Sequence, residues 1–165
     1  MSALEVSLRL VCLASVNDGR FAPFGANFAT TPVPNRVPVP LRFDGEATDG
    51  ESTITVIRVP AAASVGSIQR VERHPLSVQA FIPLGGQPLV VLVAPAGAPP
   101  AHPDQLTAFR IPAGHGVAYR TGIWHAGLMG ADDDTFVATF VRRMEDASDT
   151  EFALLPFIAR IAESK

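Results

Sequence analysis

The sequence predicts a mainly all-β chain folded as an antiparallel barrel or sandwich, and three observations carry that prediction. Short runs rich in Val, Ile, Thr and Phe recur along the chain, each bounded by Gly or Pro. Fifteen prolines and thirteen glycines punctuate it, which leaves little room for long helices. One run, residues 89–94 (LVVLVA), is apolar on both faces, as a strand covered on both sides should be.

Taken in order, Leu4, Val6, Leu8 and Leu10 alternate with Glu5, Ser7 and Arg9, the pattern of a half-buried strand. Glu5 and Arg9 also interrupt the apolar opening, and no basic segment precedes it. It therefore does not read as a signal peptide, and a cytoplasmic protein is expected. Residues 31–40 (TPVPNRVPVP) carry a proline at nearly every second position and should be extended or edge-like. Residues 53–59, 77–82, 89–94, 106–111, 116–120 and 135–141 read as further strands, and 95–104 (PAGAPPAHPD) as a surface loop. Pro156 is placed to open a short C-terminal helix through Glu163, with Phe157, Ile158 and Ile161 apolar. The length of 165 residues suits one domain spanning residues 1–165.

Composition excludes several function classes. A net charge of −3 gives no electrostatic case for nucleic acid or an anionic membrane. No apolar run reaches the roughly 18 residues that a membrane span requires. The single cysteine, Cys12, allows no internal disulfide, and its apolar neighbours suggest an inert thiol. The one lysine is the last residue, Lys165, which argues against Schiff-base chemistry. Arginine is plentiful, and its planar fork suits small carboxylates. No phosphate-binding glycine loop, zinc-protease helix or serine-hydrolase elbow is present.

Four histidines remain as candidates for chemistry: His74, His102, His115 and His125. His102 lies in the proline-rich loop and should be solvated, while His115 sits in AGHG, a hairpin tip, as an exposed turn residue. His74 and His125 stand at strand ends in unusual company. His74 follows Glu72 and Arg73 and precedes Pro75, which biases it toward extended geometry. His125 follows Trp124, the only tryptophan, near Tyr119, the only tyrosine. Brought to one barrel mouth, the two histidines could bind a divalent metal with Gln79, or act as acid and base on a small ligand. Alternatively they are core histidines satisfied by backbone carbonyls. Glu72 and Arg73 are either a solvated ion pair or, one of them at most, a wall of the same cavity. Arg58 either points inward to meet a carboxylate or is a solvated strand end. A buried Gln79 must find partners, which a cavity ligand would supply.

The runs VERHPLSVQAFIPLGG, LVVLVA and LTAFRIPAGHGVAYRTGIWHAGL resemble the ureidoglycolate lyase family, formerly called ureidoglycolate hydrolase, over about residues 53–141. FAPFG, residues 21–25, is similar to the family's N-terminal region. The resemblance implies a cupin-like β-barrel or jelly roll, a homodimer, and cleavage of ureidoglycolate to glyoxylate and urea in allantoin catabolism, part of purine metabolism. Glu72, Arg73, His74, Gln79, Phe81, Tyr119, Trp124 and His125 match the family pattern, and Arg58 falls where it carries an arginine. Ala126 and Gly127 stand where a histidine and a proline are common after the Trp-His pair, and Ala26 where an acidic residue is common.

The implied chemistry is a carbon–nitrogen lyase reaction on a small 2-hydroxy acid derivative, with His74, His125 and Tyr119 as catalytic candidates. Arg58 or Arg73 would hold the carboxylate, and Gln79 or Tyr119 would orient the ureido group, with Glu72 and Trp124 also against substrate. A divalent metal, if bound, would sit on His74, Gln79 and His125. A divergent metal-dependent cupin acting on another small carboxylate and a non-catalytic ligand-binding cupin are the alternatives. The proline-rich segment 31–40 and the apolar tail around Phe157 offer edges that a second copy would cover.

Overall fold

The computed structural model describes residues 8–16, 19–30, 50–143 and 149–162. The reading of residues 31–40 as edge-like, and the first half of the predicted N-terminal strand, fall outside these, as does the side chain of Cys12. Twelve strands dominate the described residues. They are β1 (Leu8–Ser15), β2 (Gly25–Ala29), β3 (Glu51–Val59), β4 (Ile68–Arg73), β5 (Gln79–Pro83) and β6 (Leu89–Ala94). The others are β7 (Thr107–Ile111), β8 (His115–Tyr119), β9 (Trp124–His125), β10 (Met129–Gly130), β11 (Thr135–Arg143) and β12 (Glu151–Ala162). One single-turn helix, α1 (Ala62–Val65), precedes β4.

The strands form two sheets. One runs β10-β6-β7-β1-β12-β4-β9, and β9 also pairs with β6, so that β6-β7-β1-β12-β4-β9 closes into a ring. The other is a five-stranded sheet, β2-β8-β5-β11-β3. This is the curled, cupin-like β-barrel that the resemblance implies. The pairing is antiparallel with one departure: β1 runs parallel to both of its neighbours, β12 and β7. No hairpin joins β1 to either strand, so no tight turn sets its direction.

Strand alternation builds two apolar cores around β6, whose six residues are all buried. Val90, Leu92 and Ala94 join Val11, Val71, Ala108, Trp124, Leu155 and Phe157 in a cluster drawn from every strand of the ring, which fills its interior. Leu89, Val91 and Val93 face the opposite way and pack with Phe81, Val117, Tyr119 and Val137 between the ring and the five-stranded sheet. The FAPFG turn supplies Phe21 and Phe24 to this second core, and Phe21 stacks edge-on against Phe109 at 5.2 Å. Gly25 then lets β2 approach β8: a Cβ there would lie 1.8 Å from the Ala118 carbonyl oxygen.

The C-terminal helix expected from Pro156 does not form. Residues 151–162 are a single strand in which Leu155, Phe157 and Ala159 are buried at alternate positions, a period of two. Ile161 continues that alternation, whereas Ile158 lies on the other face of the strand. Pro156 lies where the register against β4 shifts between Leu154 and Ala159, and such an irregularity tolerates a residue without an N–H. Phe157 therefore points into the ring and provides no exposed edge for a second copy.

Candidate active site

The site forms where β4 and β9 pass the β5 and β8 strands of the second sheet. β4 and β9 share one register position, Glu72 opposite His125. Beyond it residues 126–129 peel away toward β6, where Ala126 N–H donates to the Leu92 carbonyl and Met129 pairs with Val90. The gap left in the ring wall is a cavity of about 470 Å³. Ile68 to Glu72 line one side and His125 to Met129 the other. Ala126 and Gly127 are thus cavity-wall residues.

His74 and His125 lie side by side, with ring centroids 5.5 Å apart. Both engage Nδ1 with a backbone carbonyl, His74 with Asp149 at 2.8 Å and His125 with Ile123 at 3.0 Å. A carbonyl can only accept, so each neutral ring carries its proton on Nδ1 and leaves a lone pair on Nε2. Both Nε2 atoms are buried without a hydrogen-bond partner. Of the two readings that the sequence left open, carbonyl-satisfied core histidines and functional ones, the geometry contains both: one nitrogen anchors the ring and the other stays free.

Local turns set this placement. Gly122, at φ 76°, bends the chain just before β9, and its N–H donates to the His74 carbonyl at 2.8 Å. Buried Asp149 pins the segment after His74, accepting from the Leu76 N–H at 2.5 Å and from the Ser77 hydroxyl.

Glu72 completes a cluster of three. Its Oε1 lies 3.4 Å from His125 Nε2, long for a hydrogen bond until the ring is protonated and Nε2 donates. That contact with His125 holds the Glu72 carboxyl below its ordinary value, against burial, which pulls it up. The charges of His125, His74 and Arg70 add to the lowering. One ligand atom from each of Glu72, His74 and His125 can be chosen so that all lie within 4.8 Å of one another. Two imidazole nitrogens with free lone pairs and one carboxylate oxygen make a donor set that fits a divalent cation.

Tyr119 stacks on His125 at 4.8 Å and pairs in register with Gln79. Burial, with the nearby Glu72 charge, pushes the Tyr119 phenol far up, so it remains an O–H donor. Its oxygen and Gln79 Oε1 are also buried without partners. Four of the predicted site residues thus present unpaired polar atoms from buried positions, which is uncommon for groups serving packing alone. Thr139, on the same sheet, presents a fifth.

Other predicted residues lie elsewhere. Arg58 is exposed on β3 and pairs with Asp134 at 2.6 Å. Arg73 points to the opposite face of β4 from Glu72, bonding Glu151 and the Gly97 carbonyl, with its guanidinium 4.6 Å above the Trp124 ring. Trp124 Nε1 donates to the same Gly97 carbonyl at 3.0 Å, so the pair braces β4 against the 95–104 loop. Neither Arg73 nor Trp124 is directed into the cluster. His115 opens β8, with Nδ1 3.2 Å from the Ala113 carbonyl, and His102 is exposed.

Sequence reasoning missed Asp149 and Arg70. Asp149 lies 75 positions from the histidine that it holds, and no local pattern joins them. Arg70 belongs to β4, whose burial does not alternate cleanly enough to announce a strand.

Comparison with known proteins matches the chain to one family. The ureidoglycolate lyase family model matches residues 11–158. A ureidoglycolate lyase of Azotobacter vinelandii is 29% identical over 79% of this chain and 84% of its own length. That of Pseudomonas entomophila is 32% identical over 72% of this chain and 75% of its own. A ureidoglycolate lyase of Stutzerimonas stutzeri reaches 42% over a shorter match, 48% of this chain and 46% of its own. Among solved structures, a dTDP sugar isomerase of Desulfovibrio desulfuricans G20 aligns over 79% of this chain and 85% of its own. Its TM-score is 0.46 and its identity 17%, too loose a likeness to carry an argument. By the extent of the family match, the chain belongs to the ureidoglycolate lyase family.

Proposed function

We propose that this protein is a ureidoglycolate lyase that releases urea and glyoxylate, with His74, His125 and Tyr119 as its catalytic groups. The observation that carries the reading is the pair of buried, unpaired Nε2 atoms of His74 and His125 beside the unpaired Tyr119 hydroxyl and Gln79 amide oxygen. Ureidoglycolate holds a hydroxyl, a carboxylate and a ureido nitrogen on one carbon. Cleavage removes the hydroxyl proton, forms the C=O of glyoxylate, and sends the C–N electron pair to the urea nitrogen, which takes up a proton. A neutral imidazole Nε2 accepts the first proton. The imidazolium, or the Tyr119 O–H, returns one to the leaving nitrogen, so no net proton is gained or lost. Gln79 accepts a hydrogen bond from a ureido N–H. Glu72 stabilises the imidazolium that forms on His125.

Proton transfer and metal ligation compete for the same Nε2 lone pairs. A divalent cation held by Glu72, His74 and His125 would supply Lewis-acid polarisation of the hydroxyl or carboxylate. Gln79, the ligand candidate of the sequence reading, then serves the ureido group, and Glu72 takes its place in the donor set.

The chain is further proposed to act as one domain, in the cytoplasm, in allantoin catabolism, and as a homodimer. The dimer surface suggested by the fold is the outer face of β3 and β11, where Ile54, Val56 and Phe136 are 71%, 57% and 56% exposed. The decisive experiment is to incubate protein with ureidoglycolate, with chelator or with added divalent metal, and to quantify urea and glyoxylate. Equimolar release is expected, and no release above background in either condition overturns the reading.

A further inference from the structure

We propose that Arg70 is the carboxylate-binding residue of this site, an inference that rests on the lyase reading. Arg70 lines the cavity together with Glu72 and His125, and no other arginine or lysine among the described residues does. Alternation along β4 places it on the same face as Glu72, two residues and about 7 Å away along the strand. Three other arginines are committed: Arg58 to Asp134, Arg73 to Glu151 and Gly97, and Arg110 to Asp132. Arg70 has no hydrogen-bond or ion-pair partner among the described residues. Its one specific contact is with the Phe152 ring of β12, over which the guanidinium carbon sits at 4.9 Å. Stacking of that kind orients the guanidinium plane and leaves the N–H groups on its edge free, the geometry for two parallel bonds to a carboxylate.

The order of groups strengthens the assignment. Starting from Arg70, the path runs to Glu72, then to His125 at 3.4 Å, then to Tyr119 stacked on His125, then to Gln79 paired with Tyr119. A carboxylate on Arg70 therefore sets the carbinol carbon toward Glu72 and the His125 imidazole, with Tyr119 and Gln79 buried behind that ring. Arg70 also offsets the Glu72 charge, which by itself would repel an anionic substrate.

The test compares Arg70→Gln and Arg70→Lys with wild type on ureidoglycolate and on N-(hydroxymethyl)urea, the same hemiaminal without its carboxylate. Arg70→Gln should raise KM for ureidoglycolate about 30- to 100-fold with kcat changed less than about fivefold, as expected for loss of a charge-assisted pair. On N-(hydroxymethyl)urea it should match wild type. Arg70→Lys should recover part of the KM loss, because the charge returns without the fork. An unchanged KM, or equal losses on both substrates, overturns the assignment. Calorimetric titration with glyoxylate separates the two claims. Binding by wild type that weakens at least 30-fold in Arg70→Gln sustains the carboxylate site even if wild type turns nothing over. Equal binding by both proteins, or none by wild type, sinks it. Circular dichroism melts verify folding, which this exposed position should not disturb.

Discussion

His125 meets Glu72 across the one register position that β4 and β9 share, with Nε2 3.4 Å from Oε1. The same contact therefore closes the ring wall and tunes a carboxyl group of the site.

That pairing sets a pH dependence. The folded-state pKa of Glu72 is lowered, so the group stabilises the fold above the unfolded value of about 4.3 and that contribution is lost as pH falls through the folded pKa. Glu72→Gln should cost about 1 kcal/mol at pH 7, the favourable surroundings of its carboxylate discounted for partial exposure, and lower Tm by about 3 °C. The difference from wild type should shrink steadily below about pH 4. A Tm difference that stays constant from pH 7 to pH 3 refutes a role for the charge.

Removing the free nitrogen of His74 should separate chemistry from stability. In His74→Asn the side-chain amide can still donate to the Asp149 carbonyl, while the atom corresponding to Nε2 is gone. The kcat/KM for ureidoglycolate should fall by about 10²- to 10⁴-fold, with Tm within a few degrees of wild type. Retained activity in a folded variant would remove His74 from the mechanism.

Metal ligation has a readout independent of turnover. Zn²⁺ at about 100 times its Kd should stabilise the fold by about 2.7 kcal/mol by mass action. Thermal melts with added Zn²⁺ and with chelator should therefore diverge in wild type and coincide in His125→Asn. Coinciding curves in wild type would exclude a tight site on the three residues.

Arg73 is expected to matter for packing and not for substrate. Arg73→Lys keeps the charge but cannot bond Glu151 and the Gly97 carbonyl while stacking on Trp124. A loss of about 1–2 kcal/mol in denaturant unfolding is expected, with KM changed less than about twofold. A large KM increase would restore Arg73 as a carboxylate ligand.

The exposed face of β3 and β11 should report on self-association. Val56→Glu combined with Phe136→Glu should convert a dimer into a monomer in sedimentation velocity at micromolar concentration. A wild-type monomer, or a dimer untouched by both substitutions, would rule this surface out.

Much of the architecture was legible in the chain because its signals are local. LVVLVA is apolar at every position and becomes the fully buried β6, the runs at 53–59 and 135–141 lie in β3 and β11, and that at 106–111 exceeds β7 by one residue. One expectation failed, one open reading was decided and two residues were missed, each for an identifiable reason. Phe157, Ile158 and Ile161 fit a helical stripe, Leu155, Phe157 and Ala159 a strand face, and only pairing with β1 and β4 decides between them. Arg58 could point inward or stand as a solvated strand end, and alternation along β3 turns it outward to Asp134. The histidines, glutamine and tyrosine were found because such residues are rare in this sequence. Asp149 and Arg70 were not, since their importance lies in contacts that the chain order does not encode.

The single-position join between β4 and β9 also has a consequence for local opening. A barrel wall with a one-residue seam has a built-in boundary between cooperative units, and backbone amides facing it should be protected less than those of β6 and β7. Slow hydrogen–deuterium exchange along β6 and faster exchange beside the seam is the expected signature. A ligand that bridges the two banks should erase the difference, so occupancy would be recorded in the exchange rates of backbone it never touches.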